Sequence, residues 1–141
     1  MTGPTAFGAT YDFPTNAGQL TSLQLGDLQV QLAGYYTYTL QLLGEQESSL
    51  GALRSSYEIS LGMQMQALQD GRGTGTGSRV NKDNLRALAI TNDALLRRAT
   101  EQLIAREATV TRLKAQSEVY REQLARLSRE QTRREMESRI G

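Results

Sequence analysis

The chain has 141 residues, 38% of them apolar, with two phenylalanines, six tyrosines, no tryptophan and two prolines, an aromatic stock thin for a compact globular core. Histidine and cysteine are both absent, which excludes zinc-finger ligation, Cys-His and Ser-His-Asp catalysis, CxxC redox chemistry and disulfide scaffolding together. The net charge of +1 hides a dipolar chain: residues 1–71 hold one basic and six acidic side chains, net −5, and residues 72–141 hold fifteen basic and nine acidic ones, net +6.

Residues 1–19 mix Gly, Pro, Thr and Asn with isolated aromatics and have neither a basic start nor an apolar run of signal-peptide length. They read as a flexible or extended arm, with Phe7, Tyr11 and Phe13 either anchored on a neighbouring subunit or left in a disordered tail. No stretch approaches the 18 uninterrupted apolar residues of a membrane span, so the chain is expected to be soluble and intracellular.

From residue 20 to 69 apolar residues recur at helical spacing, among them Leu28, Leu32, Tyr35, Leu50, Leu53, Tyr57, Leu61 and Leu68. This is the first long helical arm. Gly26, Gly34, Gly44, Gly51 and Gly62 fall inside it, and each weakens a helix interior by roughly 1 kcal/mol relative to alanine. Either packing against another element or another copy rescues the helix, or it breaks near Gly34 or Gly44. Tyr35, Tyr36 and Tyr38 form the one β-prone patch, and a short strand is the alternative there. Tyr57 and Tyr120 fit helical seams as core residues, while Tyr36 and Tyr38 are candidates for exposed stacking groups.

Residues 70–80 contain four glycines within seven positions, Gly71 to Gly77, and form the Gly-rich turn. The order GRGTGTGS lacks the GKS or GKT ending of a phosphate loop and follows no strand pattern. Two compatible interpretations remain: a mobile connection between antiparallel helices, and a basic loop, carrying Arg72, Arg79 and Lys82, that closes over a phosphate backbone.

Residues 81–141 hold a short helix and a long C-terminal one. Asn81 or Ser78 can cap the short helix, and Asn92 or Asp93 marks a joint or a new cap. Beyond it Leu96, Leu103, Val110, Ser117 and Leu124 occupy one heptad position and Ala99, Leu113, Tyr120 and Leu127 the other, with Arg106 and Glu107 filling the seam between. A helix from Asp93 to Arg139 is about 70 Å long at 1.5 Å per residue. Burying so long a helix requires the first arm and further copies of the chain. The expected fold is therefore all-α: a long antiparallel helical hairpin with a short intervening helix, assembling into an oligomer.

In that register Arg98, Arg112, Arg126 and Arg133 share one outward heptad position, thickened by Arg97, Arg121, Arg129, Arg134 and Arg139 and interrupted by glutamates. Fourteen of the sixteen basic residues are arginine, whose guanidinium fork binds phosphate bidentately and stacks on bases. The alternative is a solvated coiled-coil surface laced by ion pairs such as Glu130 with Arg134. Carboxylates two residues apart, as at Glu45 and Glu47 or Glu135 and Glu137, do not share a helix face. With no near-neutral base in the chain either, no catalytic residue, metal site or cofactor is expected.

The arrangement of SYEISLGMQMQALQDGRGTGTG, a short helix and a long helix ending SEVYREQLARLSREQTRREME resembles the UvsY-like recombination mediators of tailed bacteriophages over residues 20–137. The resemblance implies a small helical protein that assembles into rings, binds single-stranded DNA and loads a recombinase in place of single-strand-binding protein. It also implies a place in the cytoplasm of a host bacterial cell. In that family basic residues just before the turn contribute to DNA binding. The matching positions near Met63 and Met65 are uncharged here, leaving Arg72 immediately inside the turn and Arg54 as the only other basic residue upstream, and moving the expected contact to Arg72, Arg79, Lys82 and the C-terminal arginines. A helical phage structural or assembly protein, forming an oligomeric ring that touches no nucleic acid, is the competing expectation.

Overall fold

The computed structural model describes residues 17–71 and 81–140, and the expectations for the N-terminal arm, for Ser78, Arg72 and Arg79 fall outside them. Among the described residues the fold is all-α: a single 3-10 turn, Ala17–Gln19, precedes helices α1, Ser22–Gly71, α2, Lys82–Asn92, and α3, Ala94–Ile140. None of these helices is long and apolar enough to cross a membrane.

Helix α1 begins at a reciprocal cap that the sequence TSLQ encodes. The Gln24 backbone N–H donates to Thr21 Oγ1 at 3.1 Å, and the Thr21 N–H donates to Gln24 Oε1 at 2.9 Å. The helix is then continuous to Gly71, so of the two alternatives the unbroken helix is the one formed, and Asp70 and Gly71 belong to the helix and not to the turn. Burial of Leu25, Leu28, Leu32, Leu50, Tyr57 and Leu61 along the helix offsets the glycine cost. The tyrosine patch is helical for the same reason: Leu32, Tyr35, Tyr36 and Thr39 follow a three-to-four-residue spacing along one face, which a strand would split between two.

The chain divides into two compact units. In the first, residues 17–45 pack with residues 111–140. Leu25, Leu28 and Leu32 of α1 join Tyr120 and Leu127 of α3 in a buried cluster, flanked by Ala17, Leu20, Tyr35, Tyr36 and Leu124. The Tyr35 and Tyr120 rings meet with centroids 6.0 Å apart and planes tilted by 59°, a favourable edge-on aromatic geometry. Gln116 donates to the Tyr120 hydroxyl at 3.1 Å, so the buried ring keeps a polar partner. Tyr120 is core as the heptad pattern requires, but Tyr36 packs on this cluster and Tyr38 is half-buried, so neither is an exposed stacking group.

In the second unit, residues 46–110, the buried set is Leu50, Tyr57 and Leu61 of α1, Leu85 and Ala89 of α2, and Leu96, Leu103 and Val110 of α3. Burial takes the Tyr57 hydroxyl out of water, and the Thr100 hydroxyl, 3.0 Å away, gives it a polar partner. Residue numbers rise along α1 as those of their partners fall along α3, Arg54 meeting Glu107 and Tyr57 meeting Thr100, so the two helices run antiparallel. Leu96, Leu103, Val110, Leu113, Ser117, Tyr120 and Leu127 are all buried, and the seam read from the heptad pattern is the packed face of α3.

Asn81 caps α2, accepting from the Asp83 N–H at 3.0 Å. One extended residue, Asp93 (φ −118°, ψ 112°), separates α2 from α3 and serves both. Its N–H donates to the Ala89 carbonyl at 3.2 Å, closing α2, and its carboxylate accepts from the Leu95 N–H at 2.9 Å, opening α3. Gln64 of α1 donates to the same carboxylate at 3.1 Å. That bond first, and the backbone amides after it, hold the Asp93 carboxyl below its ordinary range.

Candidate nucleic-acid interface

The basic residues singled out by the sequence separate into two chemical groups once their partners are known. Arg54 reaches from α1 to Glu107 at 2.9 Å. Arg133 is held between Glu130, at 2.7 Å, and Glu137. Both remain about half exposed, at 56% and 51% of the side chain, so their pairs are accessible to water and salt and can open toward another anion.

Arg134 has a different role. It sits at an inward heptad position, and its guanidinium donates to Glu130 at 2.9 Å and to the backbone carbonyls of Ala17 and Gly18, both at 3.5 Å, and of Leu20. These carbonyls precede α1, so Arg134 fastens the entry of the first helix to the end of the last. Only 21% of its side chain is exposed. The heptad register itself carries the signal, since Arg134 falls in the seam and not on the outward line.

Glu130 organises this end of the first unit. Hydrogen bonds from Arg133, then from Arg134, hold its carboxyl down to about 2 from an ordinary 4.5. The same contact raises Arg133, which stays charged at any pH the fold survives.

Arg126 and Arg129 stand apart from these pairs. Both are exposed, and among the described residues neither has a side-chain hydrogen bond or ion pair. Positions 126, 129 and 133 are spaced by three and four residues, which puts them next to one another on a helix surface, about 5–6 Å apart at Cβ. They form a short cationic ladder on α3 within the first unit. Arg112 is also exposed and lies on α3 in the same unit, with an interaction of its own.

In the second unit Arg98 is exposed on α3 and Lys82 is exposed in the first turn of α2. Lys82 lines a groove of about 730 Å³ with Gln66 and Gln69 of α1 and Asp83 and Arg86 of α2. Glu58 crosses the same groove to Arg86 at 3.5 Å, so the lining is mixed in charge and offers an anion less than the α3 ladder does. The structure thus brings Arg126, Arg129 and Arg133 together, keeps Arg54, Lys82 and Arg98 in the other unit, and commits Arg134 to contacts within the chain. No protein-family model matches this chain, and neither a curated protein nor a solved structure matches it.

Proposed function

We propose that the protein is a single-stranded-DNA-binding recombination mediator that works without catalysis, as an assembly of several copies in the cytoplasm of a bacterial host. The observation that carries the reading is the ladder of Arg126, Arg129 and Arg133, two of whose guanidinium groups have no partner among the described residues. Guanidinium groups at helical spacing hold consecutive phosphates of a flexible strand while leaving its bases free. A recombinase needs bases in that accessible state, so the strand passes from the arginines to the recombinase filament as single-strand-binding protein is displaced. Lys82, Arg98 and Arg112, with Arg72 and Arg79 of the glycine-rich segment, supply further phosphate contacts.

Retention of a labelled single strand by the purified protein at low salt, lost on raising the salt, is the expected result. No retention at low salt refutes DNA binding. A second reading, a helical phage assembly protein that binds no nucleic acid, is favoured by one observation: the outward face of the first half of α1 is almost uncharged. Copurification with virions, together with failure to retain the strand, supports that reading instead.

A further inference from the structure

The face of α1 that points away from the core in the first unit is built unlike a solvated helix surface. Between Ser22 and Gly44 the only charged residue is Asp27. Leu23 is 77% exposed, Val30 55% and Leu40 42%. A Cβ added at Gly26 or Gly44 meets nothing within 4 Å, so no contact within the chain requires glycine at either position. Each nevertheless costs the helix roughly 1 kcal/mol. In the same unit α3 has the ordinary outward surface, with Arg112, Glu118, Arg121, Glu122, Arg126 and Arg129 all exposed. A helix apolar on both faces is one that is covered on both.

We infer that this face pairs with the same face of a second copy, the two α1 helices running antiparallel about a two-fold axis beside Ala33. The size pattern is self-complementary only in that arrangement. It sets Leu23 opposite Gly44 and Leu40 opposite Gly26, each large side chain against a glycine, and Val30 opposite the similarly sized Thr37, with Ala33 facing its own copy. Exposed Ala33 and Thr37 complete the strip. A parallel pair would instead set Leu23 against Leu23 and Gly26 against Gly26, leaving clashes beside gaps, and would bring the two Asp27 carboxylates together. In the antiparallel pair they lie well apart, each near the level of Tyr38 and Gln41 of the second copy, two hydrogen-bond donors.

Ala33 at the axis, with Gly26 and Gly44 on either side of it, allows the helix axes to approach to about 8 Å, the close end of helix packing. The strip of 22 residues is about 33 Å long and about 12 Å wide, which is roughly 400 Å² on each copy, about half of a standard interface. The pairing is therefore a concentration-dependent dimer contact. Being isologous, it closes on itself, so a larger assembly uses a second face as well. This inference rests on the chain assembling with copies of itself and is independent of DNA binding.

The chain has no cysteine, so introduced ones report contacts without background. Ala33→Cys should form a disulfide-linked dimer on mild oxidation. Leu23→Cys mixed with Gly44→Cys should cross-link to each other, and Leu23→Cys alone should not. Val30→Glu, at an exposed position that leaves the helical circular dichroism intact, should raise the dimer dissociation constant at least tenfold by sedimentation. Larger oligomers that give no cross-link at Ala33, or a Leu23→Cys self-cross-link, overturn the surface and leave assembly standing. A monomer at every concentration overturns both, and a monomer that dimerises only when residues 2–16 are deleted assigns the face to the chain's own arm and overturns the inference.

Discussion

Replacing Arg126 and Arg129 together by glutamine should flatten the salt dependence of single-strand binding. Each phosphate neutralised on a single strand releases counterions that contribute about −0.7 to the slope of log K against log salt. Both guanidinium groups lack a carboxylate partner among the described residues, so both exchange bound counterions in full. The slope should therefore fall in magnitude by roughly 1.4 for each copy engaged, and the affinity lost between 50 and 200 mM salt should shrink by roughly sevenfold. Fluorescence anisotropy of a labelled oligonucleotide over a salt series measures this directly. Arg134→Gln is the control, because that guanidinium is engaged with Glu130 and the Leu20 carbonyl in the free protein. It should leave the slope unchanged. An unaltered slope in the double variant, or an equal change in the control, refutes the assignment of the ladder.

Arg134→Ala should instead cost stability, about 2 kcal/mol for lost hydrogen bonds from a charged donor, read from the urea midpoint. Leu127, fully buried in the first unit, should cost about 2–5 kcal/mol as alanine, measured in the same way. Asp93→Ala should lower the urea midpoint through the lost cap and speed hydrogen exchange at the Leu95 and Leu96 amides, with Leu113 in the other unit as the unaffected reference. Glu130 has a folded-state carboxyl held at about 2, below its ordinary 4.5, so its contribution is present above about 4.5 and disappears as pH falls through about 2. The gap in urea midpoint between the natural chain and Glu130→Gln should accordingly be constant above pH ~5 and close in acid. A gap that widens in acid contradicts the Arg133 and Arg134 contacts.

Periodicity by itself determined the all-helical fold and the packed face of α3. Apolar residues spaced by three and four can be buried together only on a helix, and Leu96, Leu103, Val110, Leu113, Tyr120 and Leu127 are the ones buried. Local polar chemistry was legible as well, because the caps at Asn81 and Asp93 act over two or three residues and need no distant partner. The continuity of α1 was decided by tertiary packing, since a glycine's backbone cost is local whereas the burial of Leu25, Leu28 and Leu32 that offsets it depends on Tyr120 and Leu127 of α3. Tertiary contacts alone also separated the arginines. Composition makes Arg126, Arg129 and Arg134 equivalent, but a guanidinium acts through what lies within about 3 Å of it. For Arg134 that is Glu130 and the chain entering α1, and for the other two it is solvent.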